Sequence, residues 1–405
     1  MEKLKRKRPD IRFPEFKDDW QHTKLSELLR EAKKRNIDLK FDKEDVLSVS
    51  GELGIVNQIE HLGRSYAGAS VHNYHVVETG DIVYTKSPLK ANPFGIIKLN
   101  KGKAGIVSTL YAVYKVDNKT CYGPWIDYYF SLDVNTNRYL RPLVKKGAKN
   151  DMKINNAYVL HDRIFAPTIP EQKRIASFFT VLDKKIAQLR EKIALLEQYK
   201  KGVIQKVFSQ ELRFKDENGK DFPKWEYKYG NELFKTVSNK SHNSDLPILA
   251  ISQEYGAVPR ELINYQISVT EKSIESYKVV NIGDFIISLR SFQGGIEYSK
   301  YHGICSPAYI ILRPKTEICP DFFKFYFKTD KYIQQLCSKL EGIRDGKMIS
   351  YRYFSEIKLP FPTISEQEKI SQFLESIEYR RVTSKHQYDE LQKLKKGLIQ
   401  SMFCV

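Results

Sequence analysis

Several short stretches of this chain carry residue types that phosphate and nucleotide chemistry uses. Gly342 to Met348 contains the Gly346-Lys347 pair with which a phosphate-cradling loop ends. It is one residue short of such a loop and lacks the Ser or Thr that would hold magnesium. Phe292-Gln293-Gly294-Gly295 pairs its glycines without the Gly-x-Gly spacing a nucleoside cofactor needs, and such a pair reads as a turn. Glu171-x-Lys173 and Asp151-x-Lys153 imitate a nuclease carboxylate–lysine pair. In a chain with 67 Lys and Arg such triplets arise by chance. No His/Cys cluster has metal-ligand spacing, and scattered Ser, His and Asp make no nucleophilic triad.

What the composition does favour is binding. The 67 Lys and Arg outweigh 49 Asp and Glu, a formal charge of +18. That excess favours a polyanion, nucleic acid or an anionic membrane. No apolar run approaches the ~20 residues a membrane span needs. Met1 to Arg8 is a Lys/Arg cluster with no apolar stretch behind it, so it reads as a basic arm and not a signal peptide. The 5 cysteines are odd in number and widely spaced, which points to the cytoplasm. At 405 residues and 41% hydrophobic content the chain has ample core for two or three domains.

The elements that must carry such binding are organised around a long helix. Thr168 and Glu171 have capping-box spacing, so the carboxylate is expected to reach back to the helix start, and Pro170 fits the first turn. Ile175, Phe179, Leu182, Ile186, Leu189, Ile193, Leu196, Val203 and Val207 then alternate four and three apart, with Lys200 interrupting. This heptad seam marks a helix that packs along its length on another helix. At about 1.5 Å per residue it is roughly 60 Å long. Its partner is in the same chain. Pro362-Thr363-Ile364-Ser365-Glu366-Gln367 repeats Pro167-Thr168-Ile169-Pro170-Glu171-Gln172, and Lys395-Lys396-Gly397-Leu398-Ile399-Gln400 repeats Lys200-Lys201-Gly202-Val203-Ile204-Gln205 without a gap between. Arg381 and Ser384 fall where the first copy has Ile186 and Leu189, which weakens the second seam in its middle.

The segments between repeat as well. A lead-in from Arg12-Phe13-Pro14 to Leu29, with Trp20 and a short helix, answers to Arg213-Phe214 through Phe234 with Trp225. β-rich stretches follow at Val46 to Val56, Val76 to Tyr84 and Gly105 to Val116. Ser50, Glu52 and Gly54 answer to Ser252, Glu254 and Gly256; Gly80-Asp81 to Gly283-Asp284; Gly105 to Gly303. The layout is a globular domain (1–166), a long helix (167–210), a second globular domain (211–361) and a second long helix (362–405). The fold expected is α/β (α+β), two similar domains with the helices paired as an intramolecular antiparallel coiled coil.

The Pro-x-Ile-x-Glu-Gln helix openings, the Lys-Lys-Gly-x-Ile-Gln helix ends and the tandem layout resemble the specificity subunits of type I restriction–modification systems. The resemblance covers nearly the whole chain and is strongest in the helices. It implies two target-recognition domains, each reading one half of a split sequence in double-stranded DNA, held apart by the helices. It implies partners too: two modification subunits that methylate adenine N6 with S-adenosylmethionine, and restriction subunits that cleave with ATP and magnesium. No cofactor and no catalysis are then expected in this chain, and no membrane. The residues agree with that division. An adenine-N6 methyltransferase needs an Asn/Asp-Pro-Pro-aromatic motif, and Asn92-Pro93-Phe94 lacks one proline.

Each domain has to grip phosphate and read base edges. Loops at equivalent places in both halves are the candidates. One set is Lys86 and Ser87 against Arg290 and Ser291, just after the Gly-Asp strand. A second is Lys149, Asn150 and Lys153 against Arg344 and Lys347. The third is the turn with Ser50 and Glu52 against Ser252 and Gln253, where Gln253 could read adenine bidentately and Glu52 could accept from cytosine N4. Tyr128-Tyr129 and Phe325-Tyr326 read as core, and Lys200-Lys201 and Lys395-Lys396 as solvated helix faces. The alternatives are a self-sufficient methyltransferase or restriction endonuclease, which lacks its motifs, and a membrane-surface or cytoskeletal coiled-coil protein, at odds with the large globular segments.

Overall fold

In a computed structural model of the chain, residues 8–68, 70–89, 91–146, 152–243, 245–263, 274–289, 291–338 and 349–403 are described. They belong to two compact units, one built on Met1–Arg190 and His386–Val405, the other on Glu191–Lys385. The architecture is mixed α/β, with a globular body in each unit and two long helices, Ile169–Phe208 and Ile364–Met402.

The largest sheet of the first unit has four antiparallel strands in the order Leu29–Glu31, Tyr111–Val116, Ile82–Thr85, Ile96–Leu99. Ile82–Thr85 is buried at every residue, as a short unbroken apolar run in mid-sheet should be. Two-stranded ladders surround it: Leu47–Ser50 with Gly54–Asn57, His75–Val77 with Gly105–Val107, and Gln21–Lys24 with Arg163–Ala166. The second unit uses the same topology. Its sheet runs Phe234–Val237, Ile310–Pro314, Phe285–Ile287, Glu297–Tyr298, and its ladders are Leu249–Ser252 with Gly256–Pro259, Lys278–Val280 with Gly303–Cys305, and Glu226–Tyr229 with Lys358–Phe361. The short helix expected after Trp20 is a single 3-10 turn, Leu25–Glu27, between two strands. Leu25, Leu28 and Leu29 are all buried there, and from Leu29 the chain pairs as a strand with Tyr111–Val116.

The repeated Gly-Asp is a fastener of this sheet. Gly80 and Gly283 hold φ of 91° and 90°, which a side chain would resist. The next carboxylate then accepts from the backbone three residues earlier, Asp81 from Glu78 N and Asp284 from Asn281 N, both at 2.8 Å. A cation from the adjacent strand completes it: Lys115 lies 3.0 Å from Asp81, and Arg313 donates to both oxygens of Asp284 at 2.8 and 2.7 Å. Gly105 and Gly303 recur for another reason. A Cβ there would lie 2.5 Å from the carbonyl oxygen of Asp45 or Pro247.

Each unit contains a pair of antiparallel helical segments. In the first, Asp183 meets Lys395 at 2.5 Å, and Phe179 stacks on Phe403. In the second, Lys200 meets Glu378 at 2.9 Å and Glu197 meets Arg381 at 3.5 Å. The seam is buried at Ile175, Phe179, Ile186, Leu189, Val203 and Val207, and at Ile370, Leu374 and Ile377. Lys200 and Lys395 are therefore not solvated faces, as their sequence reading had them; they are ion-paired to the opposite helix. In the second unit the polar group at the interruption is matched, because Glu378 accepts from both Lys200 and Arg381.

The helix starts overturn the carboxylate half of the capping-box reading, while at the second start the Thr363 hydroxyl does accept from Glu366 N at 3.4 Å. Glu171 is 1% exposed and takes both nitrogens of Arg12 at 2.7 Å, with the Trp20 indole donating at 3.2 Å. Glu366 takes Arg213 at 3.0 and 3.1 Å. A bidentate Arg outweighs a backbone N–H as a carboxylate partner. The adjacent glutamine ties each helix to its body: Gln172 accepts from Tyr122 N at 2.7 Å and Gln367 from Cys319 N at 2.9 Å. Aromatic rings close the same end of each pair, around the last turn of the opposite helix. Phe403 sits 6.3 Å from Trp20 and 6.1 Å from Trp125; Phe208 sits 6.3 Å from Trp225 and 5.3 Å from Phe322. Among the described residues no helix is long and apolar enough to cross a membrane.

Candidate nucleic-acid interface

Of the three candidate loop sets, the hairpin turn is the one described completely. Leu47–Ser50 and Gly54–Asn57 pair in register from Ser50↔Gly54, leaving Gly51, Glu52 and Leu53 as an exposed tip. The Ser50 hydroxyl accepts from Leu53 N at 3.2 Å, and Gly54 turns the chain with φ 76°. The second unit builds the same turn. Ser252↔Gly256 closes the ladder, the Ser252 hydroxyl accepts from Glu254 N at 3.2 Å and Tyr255 N at 3.3 Å, and Gly256 has φ 74°. Ser50 and Ser252 thus shape the turn, and Glu52 and Gln253 are exposed at its tip. A stiff two-stranded ribbon with a polar tip is of a size that a DNA groove admits.

The loop after the Gly-Asp strand differs between the units. Ser87 is exposed, and its N–H is held by the Thr85 hydroxyl at 3.3 Å. Lys86 is half-buried. Its charge joins that of Arg35 around His75, whose imidazole is 3% exposed. Burial first, then Arg35 and Lys86, bring the His75 pKa down to about 4, so the ring is neutral at physiological pH. Ser291 is buried, and its hydroxyl accepts from Ser288 N at 2.8 Å, so it shapes the loop from behind instead of facing a ligand. Arg290 lies outside the described residues.

The basic loops fall mostly outside them too. Lys149, Asn150, Arg344 and Lys347 are not described. Lys153 closes a short ladder, Met152–Lys153 with Lys145–Lys146, in which Lys145 and Lys153 are opposite. Tyr128, Tyr129, Phe325 and Tyr326 are buried, as core residues should be.

One exposed platform has no sequence signal. Asn57 caps the short helix Gln58–Leu62, and Gln58 donates to Ser48 Oγ at 2.9 Å while accepting from Tyr66 N at 2.8 Å. The segment is therefore tied to the hairpin. Arg64 lies 4.6 Å over the Tyr66 ring, which is 58% exposed. An Arg–aromatic pair of this kind can stack on a base or meet a phosphate. It has no counterpart at a fixed shift in the second half, so comparing the halves does not find it.

Comparisons with known proteins agree with this architecture. Residues 224–395 match the family model of the type I restriction modification DNA specificity domain. Over 271 residues the chain is 27% identical to a putative type I restriction enzyme MjaX specificity subunit of Methanocaldococcus jannaschii, covering 63% of this chain and 62% of that protein. Over 258 residues it is 25% identical to the type I restriction enzyme MjaVIII specificity subunit of the same organism, covering 58% and 60%. The matches thus span about three fifths of the length of these curated relatives. The fold resembles the crystal structure of the type I restriction–modification system S subunit from M. genitalium, with a TM-score of 0.60, 14% identity and 98% and 99% of the two chains covered. It also resembles a chain from a structure of type I restriction–modification complex assembly and conformational transition, with a TM-score of 0.53, 17% identity and coverage of 95% and 97%. At these identities the likeness to both is one of fold.

Proposed function

We propose that the chain is a specificity subunit of a type I restriction–modification system and that it reads a bipartite target in double-stranded DNA, one half-site per globular domain. The reading domains are 1–166 and 211–361, and the helices at 167–210 and 362–405 support them. The subunit is non-catalytic. It positions two adenine-N6 methyltransferase subunits and the restriction subunits, which bring S-adenosylmethionine, ATP and magnesium, and it works in the cytoplasm.

The observation that supports this most directly is the repeated hairpin. Two bodies of one topology each present the same Ser-x-Glu-x-Gly turn with a different exposed tip, Gly51-Glu52-Leu53 in one and Gln253-Glu254-Tyr255 in the other. A common frame with variable tips is what two readers of unrelated half-sites require. Contacts to phosphate come from the basic loops (Lys86, Ser87, Lys149, Asn150, Lys153, Arg290, Arg344, Lys347) and contacts to base edges from the hairpin tips.

Methylome sequencing of cells carrying the chain, set against cells lacking it, tests the reading. The expected result is adenine methylation at one split sequence that disappears with the chain. Methyl transfer by the purified chain alone, with S-adenosylmethionine bound to it, would contradict the proposal in favour of a self-sufficient methyltransferase.

A further inference from the structure

A cavity of about 170 Å³ in the first unit lies beside the hairpin, lined by Glu52, Lys98, Lys101, Asp127, Ser131 and Lys395 among others. Its charges are arranged unevenly. Lys101 is paired to Asp127 at 2.7 Å, and Lys395 to Asp183 at 2.5 Å. Asp127 also accepts from Leu99 N at 3.0 Å, and Asp183 from the Tyr128 hydroxyl at 2.7 Å. Both inner carboxylates are therefore satisfied. The Lys98 side chain has no hydrogen bond or ion pair among the described residues. Glu52 is exposed at the rim.

The second unit shows what this position needs. Lys98 stands opposite Val83 in its sheet, and Glu297 stands opposite Ile286 at the equivalent place. Glu297 is 2% exposed and is paired with Lys328, one residue past Phe327. Ser131, one residue past Phe130, occupies the corresponding place in the first unit. Where the second unit supplies its own anion and cation, the first supplies a cation and an opening. Asp127 is the main balancing charge but is already taken by Lys101 and Leu99 N, so the ammonium group lacks a contact partner of its own, and an anion entering the cavity would supply one.

We propose that this cavity is a seat for a single phosphate group, with Lys98 as its anchoring cation; Ser131, whose hydroxyl donates to Tyr128 O at 2.7 Å, lines it. The side of the cavity formed by the hairpin points to a phosphate of the DNA backbone, an assignment that rests on the function proposed above. A free phosphate ion is the other source of the same chemistry. Burial first, and then the charges of Lys101 and Lys395, lower the Lys98 pKa, while Asp127 and Asp133 raise it, so a bound anion would act against the net shift.

The test uses the full chain as wild type, Lys98→Met, Ser131→Glu and Glu52→Gln. Ser131→Glu supplies an internal carboxylate, as the second unit does, and leaves the lysine in place should Lys98→Met fail to fold. Two quantities are measured. One is the slope of log Kd against log salt for cognate duplex DNA; the other is the rise in Tm on replacing chloride with inorganic phosphate at fixed ionic strength. Wild type should show that rise, Lys98→Met and Ser131→Glu should lose it, and Glu52→Gln should enlarge it by removing a competing anion. A DNA phosphate in the seat predicts a slope smaller by about 0.9 in the first two variants, with base preference intact. Loss of the Tm rise with an unchanged slope keeps the seat and makes free phosphate its occupant. An unchanged slope together with an unchanged Tm rise in both variants overturns the seat. If wild type failed to prefer any duplex, the function proposed above would fall, and the inorganic-phosphate measurement would still decide on the seat.

Discussion

Gln253 and His75 sit at opposite extremes of exposure and predict different things. Gln253 is exposed at a hairpin tip whose shape is set by Ser252 and Gly256. If it reads adenine, Gln253→Ala should relax the preference at one base pair by about 1–3 kcal/mol. It should leave the salt slope alone, because no phosphate contact is lost. Competition binding against duplexes altered at single positions measures this; a uniform loss across all of them would show that Gln253 does not read a base. His75 predicts a pH dependence. Its folded pKa of about 4 lies below the ordinary 6.5, burial being the largest cause. Between those values the unfolded chain takes up a proton that the folded chain refuses, so stability rises with pH across that window. At 1.36 kcal/mol per unit the difference reaches about 3 kcal/mol. Acidifying from pH 6.5 to 4 should therefore weaken the first unit, and His75→Gln should flatten that part of the profile in denaturant titrations.

At the scale of elements, the helix pair of the second unit titrates lower. Burial alone would raise Glu378, but hydrogen bonds from Arg381 and Lys200 more than reverse this and hold it down to about 2. A depressed carboxylate stabilises above its unfolded value of 4.5 and loses that contribution as pH falls toward 2. Glu378→Gln should remove the loss in that window while lowering stability at neutral pH, and thermal melts from pH 5 to 2 would show both. The helices also carry removable weaknesses. Gly202 and Gly397 sit inside them with open space where a Cβ would go. Either one changed to Ala should raise stability by about 0.5–1 kcal/mol, since glycine costs a helix that much. A fall in Tm for either variant would mean that the local bend of a glycine is used.

These helices were the most legible part of the sequence, because a heptad seam and its end motifs are local patterns. The hairpin turns were legible for the same reason: Ser, Glu and Gly at fixed offsets describe a tight turn. What sequence alone missed is long-range. Glu171 looked like a cap because Thr168 is three residues away, whereas Arg12, its true partner, is 159 positions off. Lys200 looked like an interruption because Glu378 is 178 positions off. The Lys98 cavity required knowing that Lys98 and Glu297 share a sheet position, which the drifting shift between the halves conceals.

For the whole molecule the question is whether each body reads its half-site alone. The segment Arg213 to Ser355 makes up most of the second body and shares a core with the helices at Val203, Val207, Ile370, Leu374 and Ile377, with polar and ring contacts added at its edge. Arg213 holds Glu366, Trp225 and Phe322 hold Phe208, and Cys319 N holds Gln367. A segment from a type I specificity subunit that keeps Arg at 213, aromatics at 214, 225 and 322, and the apolar residues of the shared core should fold on these helices. Its hairpin tip and basic loops would come with it. The expected outcome is a methylated sequence altered in one half and unchanged in the other, read by sequencing the methylome of cells carrying the exchange. A donor lacking the arginine should instead leave Glu366, 0% exposed, without its cation. A buried carboxylate deprived of its partner costs about 3–5 kcal/mol, so that exchange should fail by loss of stability, and restoring arginine at 213 should rescue it. If a stably folded exchange changed both halves of the target, the two bodies would not read DNA independently, and the repeat of one frame in two units would need another explanation.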